Sequence, residues 1–145
     1  SLTAATHAGR RGLLDGILSK TVQQLRSHGA VQIEAVIGPS ICGNCYEVPL
    51  QMAEESERQR PGIRSKTSWG TDALDLPASA ARELELLDVH VRLCGVCTLE
   101  DDDFFHTADL LSRAVWRDSF GAGNTRVRHT GEKIKNEHCY LNSVR

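Results

Sequence analysis

Two pairs of cysteines are the first feature of this sequence that could do chemistry. They are Cys42-Gly-Asn-Cys45 and Cys94-Gly-Val-Cys97. A Cys-x-x-Cys turn offers two thiolates from one short loop, and two such turns can hold zinc in a tetrahedron. The 48 residues between Cys45 and Cys94 exceed the roughly 15–20 of compact zinc ribbons. Two interpretations therefore stay open at this point, a structural zinc on all four thiolates and four free thiols packed in a core.

The second feature is the segment that begins at His7 and reads His-Ala-Gly-Arg-Arg-Gly. Its two glycines let the backbone come close to a ligand, and Arg10 or Arg11 could pair with a phosphate or a carboxylate. His7 could serve as a metal ligand or as a general base. The alternative is a structural histidine beside a turn, and the residue types alone do not separate the two.

The spacing of apolar residues predicts the elements that would position these motifs. The predicted order is a strand at 2–7, a helix at 12–28, a strand at 31–38, a helix at 47–58, a polar loop at 59–72, a helix capped by Asp75 and a strand at 89–93. This order indicates an α+β fold in which helices cover a mixed sheet. After residue 105 the periodicity is lost, so we predict a domain over 1–105 and a divergent, weakly ordered tail over 106–145.

Composition excludes several classes of function. The chain has 145 residues and a net charge of −2, which gives no bulk attraction to nucleic acid or to an acidic membrane. Its apolar runs are too short to span a bilayer, and it has no signal-peptide pattern. We expect a cytoplasmic chain with no nucleic-acid or membrane partner. Five cysteines, an odd number, suit reduced thiols or a metal better than a disulfide framework.

Three stretches, taken in order, resemble the laccase-domain family. They are HAGRRGLLDGIL, IGPSICGNCYEV and WGTDALDLPASAARELELLDVHVRLCGVCTLEDDDFF, and the resemblance covers residues 2–105. Members of this family are also called multicopper polyphenol oxidases, purine nucleoside phosphorylases and peptidoglycan-editing factors. The resemblance implies part of a layered α-β-β-α sandwich.

The resemblance also implies a function and a set of site residues. The function is metal-dependent phosphorolysis of purine nucleosides, with adenosine deamination alongside, and the substrates are a nucleoside and phosphate. His7 would be a ligand of the metal, which is zinc or, in the oxidase naming, copper. Arg11, Cys45 and Asp75 would belong to the catalytic site. Alternatives within the family are copper-dependent oxidation of phenols and editing of peptidoglycan precursors, and a non-catalytic zinc module is the alternative from another class.

The sequence departs from the family pattern at three places. The family's His-Cys-His metal site takes its first two ligands from upstream of the position of His7, and only six residues precede His7 here. Arg10 stands where the family has tryptophan. After Phe104-Phe105 the family's Arg-Arg-Asp-Gly motif is replaced by an unrelated sequence, as a change of reading frame would cause. We therefore expect an incomplete chain with low activity of its own.

Overall fold

The structure, a computed structural model, describes residues 2–101, 125–129 and 139–144. In chain order its elements are β1 (Leu2–Thr6), α1 (Arg10–Leu14), α2 (Ile17–Ser27), β2 (Gln32–Ile37), α3 (Leu50–Gln59), β3 (Arg64–Lys66), β4 (Asp72–Leu74), α4 (Leu76–Leu86), β5 (His90–Leu93), β6 (Thr125–His129) and β7 (Cys139–Val144). The α+β class is confirmed. The boundary predicted at residue 105 and most of the predicted tail lie outside the described residues and stay predictions.

The described strands form one mixed sheet and one short hairpin. The sheet has the order β5-β2-β7-β1-β6, in which β2 and β5 are parallel and every other pair is antiparallel. The hairpin consists of β3 and β4, with Arg64 opposite Leu74. The mixed character of the sheet agrees with the sequence analysis.

The core lies between one face of the sheet and helices α2 and α4, which pack on β1, β2 and β5. Alternate residues of β1 and β2 are buried on this face, as the period of two in the sequence predicts. The buried residues of the two strands are Leu2, Ala4, Thr6, Ile33, Ala35 and Ile37. Helix α2 contributes a buried stripe at helical spacing, formed by Ile17, Leu18, Thr21, Val22 and Leu25.

The predicted helix at 12–28 is divided into α1 and α2. The division lies at Gly16, whose φ of +75° is in the left-handed region and interrupts the helical hydrogen-bond pattern. Helix α2 ends in a glycine cap. Gly29 has a φ of +92°, and Ala30 N donates to Leu25 O at 3.0 Å across the cap.

Two further boundaries differ from the predictions. Helix α3 begins after Pro49, because the residue before a proline is disfavoured in the helical region. The predicted loop at 59–72 contains the hairpin, whose turn is closed by a 3.0 Å hydrogen bond from Thr67 N to Thr71 O. The longest described helices, α2 and α4, have 11 residues each, and no described helix is long and apolar enough to cross a membrane.

Candidate functional site

The motifs predicted from the sequence lie at one edge of the sheet. Strands β1 and β2 are each antiparallel to β7, so they are parallel to each other, and β5 is parallel to β2. His7 follows β1, Cys42 lies in the loop after β2, and Cys94 follows β5. The carboxyl ends of parallel strands are where α/β proteins place their ligands. This edge is therefore the candidate functional site.

The lateral order of the strands separates His7 from the cysteines. Strands β2 and β5 are neighbours, whereas β7 lies between β1 and β2. Because adjacent strands are about 4.8 Å apart, the end of β1 lies about 10 Å from the end of β2. The two Cys-x-x-Cys loops can therefore meet each other more readily than either meets His7.

The pairing of β2 with β5 continues past the ends of both strands. Ser40 N donates to Val96 O at 3.2 Å, and Thr98 N donates to Ser40 O at 3.3 Å. These bonds make Ser40 and Cys97 an isolated parallel bridge. The backbone thus holds the second cysteine pair beside the first.

The structure brings three of the four predicted cysteines together with one carboxylate. Cys42, Cys45, Cys97 and Glu100, here called the Cys/Glu cluster, place one ligand atom each within 4.8 Å of one another. Cys45 Sγ lies 3.5 Å from Glu100 Oε1, and Cys42 N donates to Cys97 Sγ at 3.4 Å. Cys94 lies outside the cluster and is exposed, although it belongs to the same Cys-x-x-Cys loop as Cys97.

The two buried thiols of the cluster have opposite pKa shifts. Burial, followed by hydrogen bonds to Cys42, Cys97 and Glu100, raises the pKa of Cys45 to about 12. Burial also opposes ionisation of Cys97, but backbone N–H groups of Cys42, Leu99 and Glu100 donate to its Sγ and lower its pKa overall. Without a metal, Cys45 is therefore a protonated donor, and Cys97 is the thiol of this pair that ionises first.

Asp75 lies against the first cysteine loop. Its Oδ1 accepts a 3.0 Å hydrogen bond from Ala78 N, which caps α4 as the sequence predicts. A Cβ placed on Gly43 would lie 2.7 Å from the Asp75 Cβ and 2.8 Å from Oδ2, so only glycine fits here. Ser65 Oγ donates to Gly43 O at 2.8 Å from the other flank. Two predicted site residues therefore meet at this loop, since Cys45 belongs to it and Asp75 packs against it.

His7 is exposed and directly follows the last residue of β1. The end of that strand is held in place by a buried hydrogen bond. Thr21 Oγ1 donates to Ile17 O at 2.8 Å, so its 3.0 Å contact with Thr6 Oγ1 is a hydrogen bond donated by Thr6. This buried pair fastens the end of β1 to α2. The imidazole folds over Gly9, where a Cβ would come within 3.1 Å of His7 Nε2.

The described residues do not complete a His-Cys-His metal site around His7. Among residues 2–101, three or more metal-ligating side chains lie close enough to hold one ion in the Cys/Glu cluster alone. His7 is not a member of that cluster. Arg11 is exposed on α1, the element that follows His7. The structure thus places His7 and Arg11 on one part of the edge and Cys45 and Asp75 on another.

Glu100, the first residue of the acidic run at 100–103, is the member of the cluster that the sequence analysis does not identify. The sequence signal that points to Glu100 as a possible ligand is its spacing of three residues from Cys97, which equals the spacing within each cysteine pair. Glu100 N and Asp101 N both donate to Cys97 O, at 3.2 and 3.1 Å, and this turn brings the carboxylate back beside the thiol.

Comparison with known proteins gives one family. The family described as multi-copper polyphenol oxidoreductase laccase matches residues 1–109. A purine nucleoside phosphorylase of Streptomyces coelicolor is 41% identical over 125 residues, which cover 81% of this chain and 52% of the relative. A purine nucleoside phosphorylase of Streptomyces griseus is 40% identical over 125 residues, with 81% and 51% covered. One from Corynebacterium glutamicum is 39% identical over 105 residues, with 70% and 43% covered. The chain spans about half the length of these curated relatives.

Proposed function

The chain belongs to the laccase-domain family, the multi-copper polyphenol oxidoreductase laccases, and from this membership we propose that it forms part of a metal-dependent purine nucleoside phosphorylase. The observation that carries the proposal is the convergence of the His7, Cys42–Cys45 and Cys94–Cys97 segments at one edge of the sheet. A nucleoside and phosphate would bind at this edge. The family resemblance and the names of the relatives supply the reaction.

In phosphorolysis, an oxygen of phosphate bonds to C1′ of the ribose while the bond from C1′ to the purine nitrogen breaks. The purine leaves with a proton, and ribose 1-phosphate is the second product. We assign Arg11 to phosphate, because an exposed guanidinium can form two parallel hydrogen bonds to its oxygens. Cys45 and Asp75 would form a wall of the site. With a pKa of about 12, Cys45 is a neutral thiol in the metal-free chain.

We assign His7 to the metal that the family resemblance implies, with zinc in the first place and copper as the alternative. His7 is the one ligand that the described residues supply for this metal, and three or four ligands are needed for tight binding. We therefore derive no step of the reaction through the metal. The role of this chain's own residues is to bind phosphate and to shape the edge of the sheet.

The test measures phosphate-dependent release of hypoxanthine from inosine and of adenine from adenosine. It uses the protein that carries this sequence, with any flanking sequence that its gene encodes, and residues 1–145 in parallel. His7→Ala should lower kcat/KM at least about 100-fold. The matched control is His90→Ala, since His90 is also exposed but begins β5 at the opposite edge of the sheet. Equal activity of the two variants would remove His7 from the site.

The assignment of Arg11 has its own readout. Arg11→Ala should raise the KM for phosphate about tenfold and leave the KM for inosine nearly unchanged. Arg58→Ala, at an exposed arginine in the last turn of α3, is the control. A rise in the KM for inosine alone would place Arg11 with the nucleoside instead.

The same preparation also tests the finer expectations. Ammonia release from adenosine would add deamination, and oxygen uptake with a phenol in the presence of copper would favour the oxidase alternative. We propose a cytoplasmic location, where nucleosides and phosphate are available and thiols stay reduced. Fractionation of cells is its test. Low activity of residues 1–145 on their own remains the prediction made from the sequence.

A further inference from the structure

The geometry points to a second metal site, separate from His7, in which Cys42, Cys45, Cys97 and Glu100 hold a soft divalent cation of the zinc class. This site does not depend on the proposed nucleoside chemistry. It differs from a four-cysteine site in one ligand, because Glu100 takes the place of the exposed Cys94.

The distances suit a tetrahedral site. With zinc–sulfur bonds of about 2.3 Å and a zinc–oxygen bond of about 2.1 Å, neighbouring ligands of a tetrahedron lie about 3.6–3.8 Å apart. Cys45 Sγ and Glu100 Oε1 are 3.5 Å apart, and all four ligand atoms lie within 4.8 Å of one another. Side-chain movements of about 1 Å would bring the remaining pairs of ligand atoms to these tetrahedral distances around one ion.

The backbone around the cluster is held by independent contacts. Cys45 N and Tyr46 N both donate to Cys42 O at 3.0 Å, which fixes the first loop as a turn. The Ser40–Cys97 bridge holds the second loop beside it. The contact between Gly43 and Asp75 fixes the outer side of the turn. The ligands are thus delivered by two rigid turns, as a preorganised metal site requires.

The chemistry of the donors selects the metal. Three sulfurs and one carboxylate form a soft to borderline set that favours zinc over magnesium or calcium, which prefer oxygen ligands. A bound cation would displace the proton of Cys45, since a coordinating thiol is deprotonated outright. The ligands Cys42 and Cys97 are 55 residues apart, so the metal would cross-link the ends of β2 and β5 and stabilise the fold.

Cobalt(II) titration of the reduced, chelator-treated chain tests the site directly. We expect one cobalt per chain, with the thiolate-to-cobalt charge-transfer band and the intense visible bands of a tetrahedral site, and zinc should displace it. Cys97→Ser should remove the charge-transfer band or weaken it strongly. Cys94→Ser, in the same loop, and His7→Ala should both retain it. Absence of the band in the unmodified chain, or its equal loss in Cys94→Ser, overturns the proposal.

A measurement on the unmodified chain covers the case in which Cys97→Ser does not fold. Alkylation is followed for each cysteine by mass spectrometry, with and without zinc. Zinc should slow the modification of Cys42 and Cys97 at least about tenfold and leave that of Cys94 unchanged. Equal rates for Cys42 and Cys97 in the two conditions would also overturn the site. Neither readout requires enzymatic activity, so failure here leaves the phosphorylase proposal standing, and the reverse also holds.

Discussion

Asp75 packs against Gly43 so closely that no other residue fits at position 43. The side chain of Asp75 caps α4, while Gly43 lies inside the first cysteine turn, so one contact joins the start of a helix to the candidate site. The fit depends on the missing Cβ of Gly43, which is buried. The position of the turn is therefore coupled to the stability of α4.

Gly43→Ala should destabilise the fold by about 1–3 kcal/mol, the usual cost of overpacking a filled site. The added Cβ would lie 2.7 Å from the Asp75 Cβ, and relief requires movement of either the cap or the turn. Urea unfolding measures the change in free energy. Asn44→Ala, at the exposed neighbouring position, should stay within about 0.5 kcal/mol of the parent chain. Equal stability of both variants would contradict the tight contact.

A network of hydrogen bonds around Arg60 and Glu83 connects the helices that follow the His7 segment. Arg60 Nη2 lies 2.6 Å from Glu83 Oε2 and donates to Leu13 O at 2.9 Å, while Ser19 Oγ donates to Glu83 Oε1 at 2.7 Å. The side chains of Arg60 and Glu83 are only 20% and 12% exposed, so water replaces these bonds poorly. The network joins α4 to α1 and α2.

Glu83→Ala should therefore destabilise the fold by about 2–3 kcal/mol, because it leaves the guanidinium of Arg60 without its half-buried carboxylate. Thermal and urea unfolding measure the loss. Glu85→Ala is the control, since Glu85 lies in the same helix and is exposed. A loss below about 0.5 kcal/mol for Glu83→Ala would mean that water takes over the role of the carboxylate.

The sequence predicted the elements whose signals are local. The alternation in β2, the stripe in α2 and the cap formed by Asp75 were all readable, because each depends on the spacing of neighbouring residues. The sequence does not predict the hairpin of β3 and β4, since its strands have three residues each and too few positions to show a period. The division of the first helix depended on Gly16 adopting a positive φ, which a sequence does not reveal.

The site was less predictable than the fold, because its members meet through pairing between distant strands. The sequence named Cys42, Cys45 and Cys97, but their distances depend on the register of β2 with β5. That register also leaves Cys94 outside the cluster and brings in Glu100. The family resemblance supplied His7 and Arg11, whose roles stay predictions.

Asp72 should make stability sensitive to acid. Hydrogen bonds from Arg64 and Lys66 lower the pKa of Asp72 below its ordinary value of 3.8. Since the folded form holds the proton less tightly than the unfolded form, these contacts stabilise the fold fully above pH 3.8. Their contribution is lost as the pH falls through the lowered pKa.

The free energy of unfolding of Asp72→Asn should lie below that of the parent chain at neutral pH and approach it in acid. Urea unfolding over a pH series measures the difference. Asp15→Asn makes the same change at an exposed carboxylate that is not paired with Arg64 or Lys66, and it should not reproduce this convergence. A difference for Asp72→Asn that stays constant to about pH 2 would contradict the assignment of the lowered pKa.

The thiols of the metal-free chain should react in an order set by exposure and ionisation. Only the thiolate is alkylated, and a pKa of about 12 leaves about one Cys45 in 10,000 ionised near pH 8. Cys45 is also only 6% exposed, whereas Cys94 is exposed. With iodoacetamide under reducing, metal-free conditions, Cys94 should therefore be modified first and Cys45 last among these two pairs. Peptide mapping by mass spectrometry gives each rate separately, and denatured chain, in which the order should vanish, is the control. Modification of Cys45 as fast as Cys94 in the folded chain would mean that the first turn opens to water, which would contradict both its burial and its raised pKa.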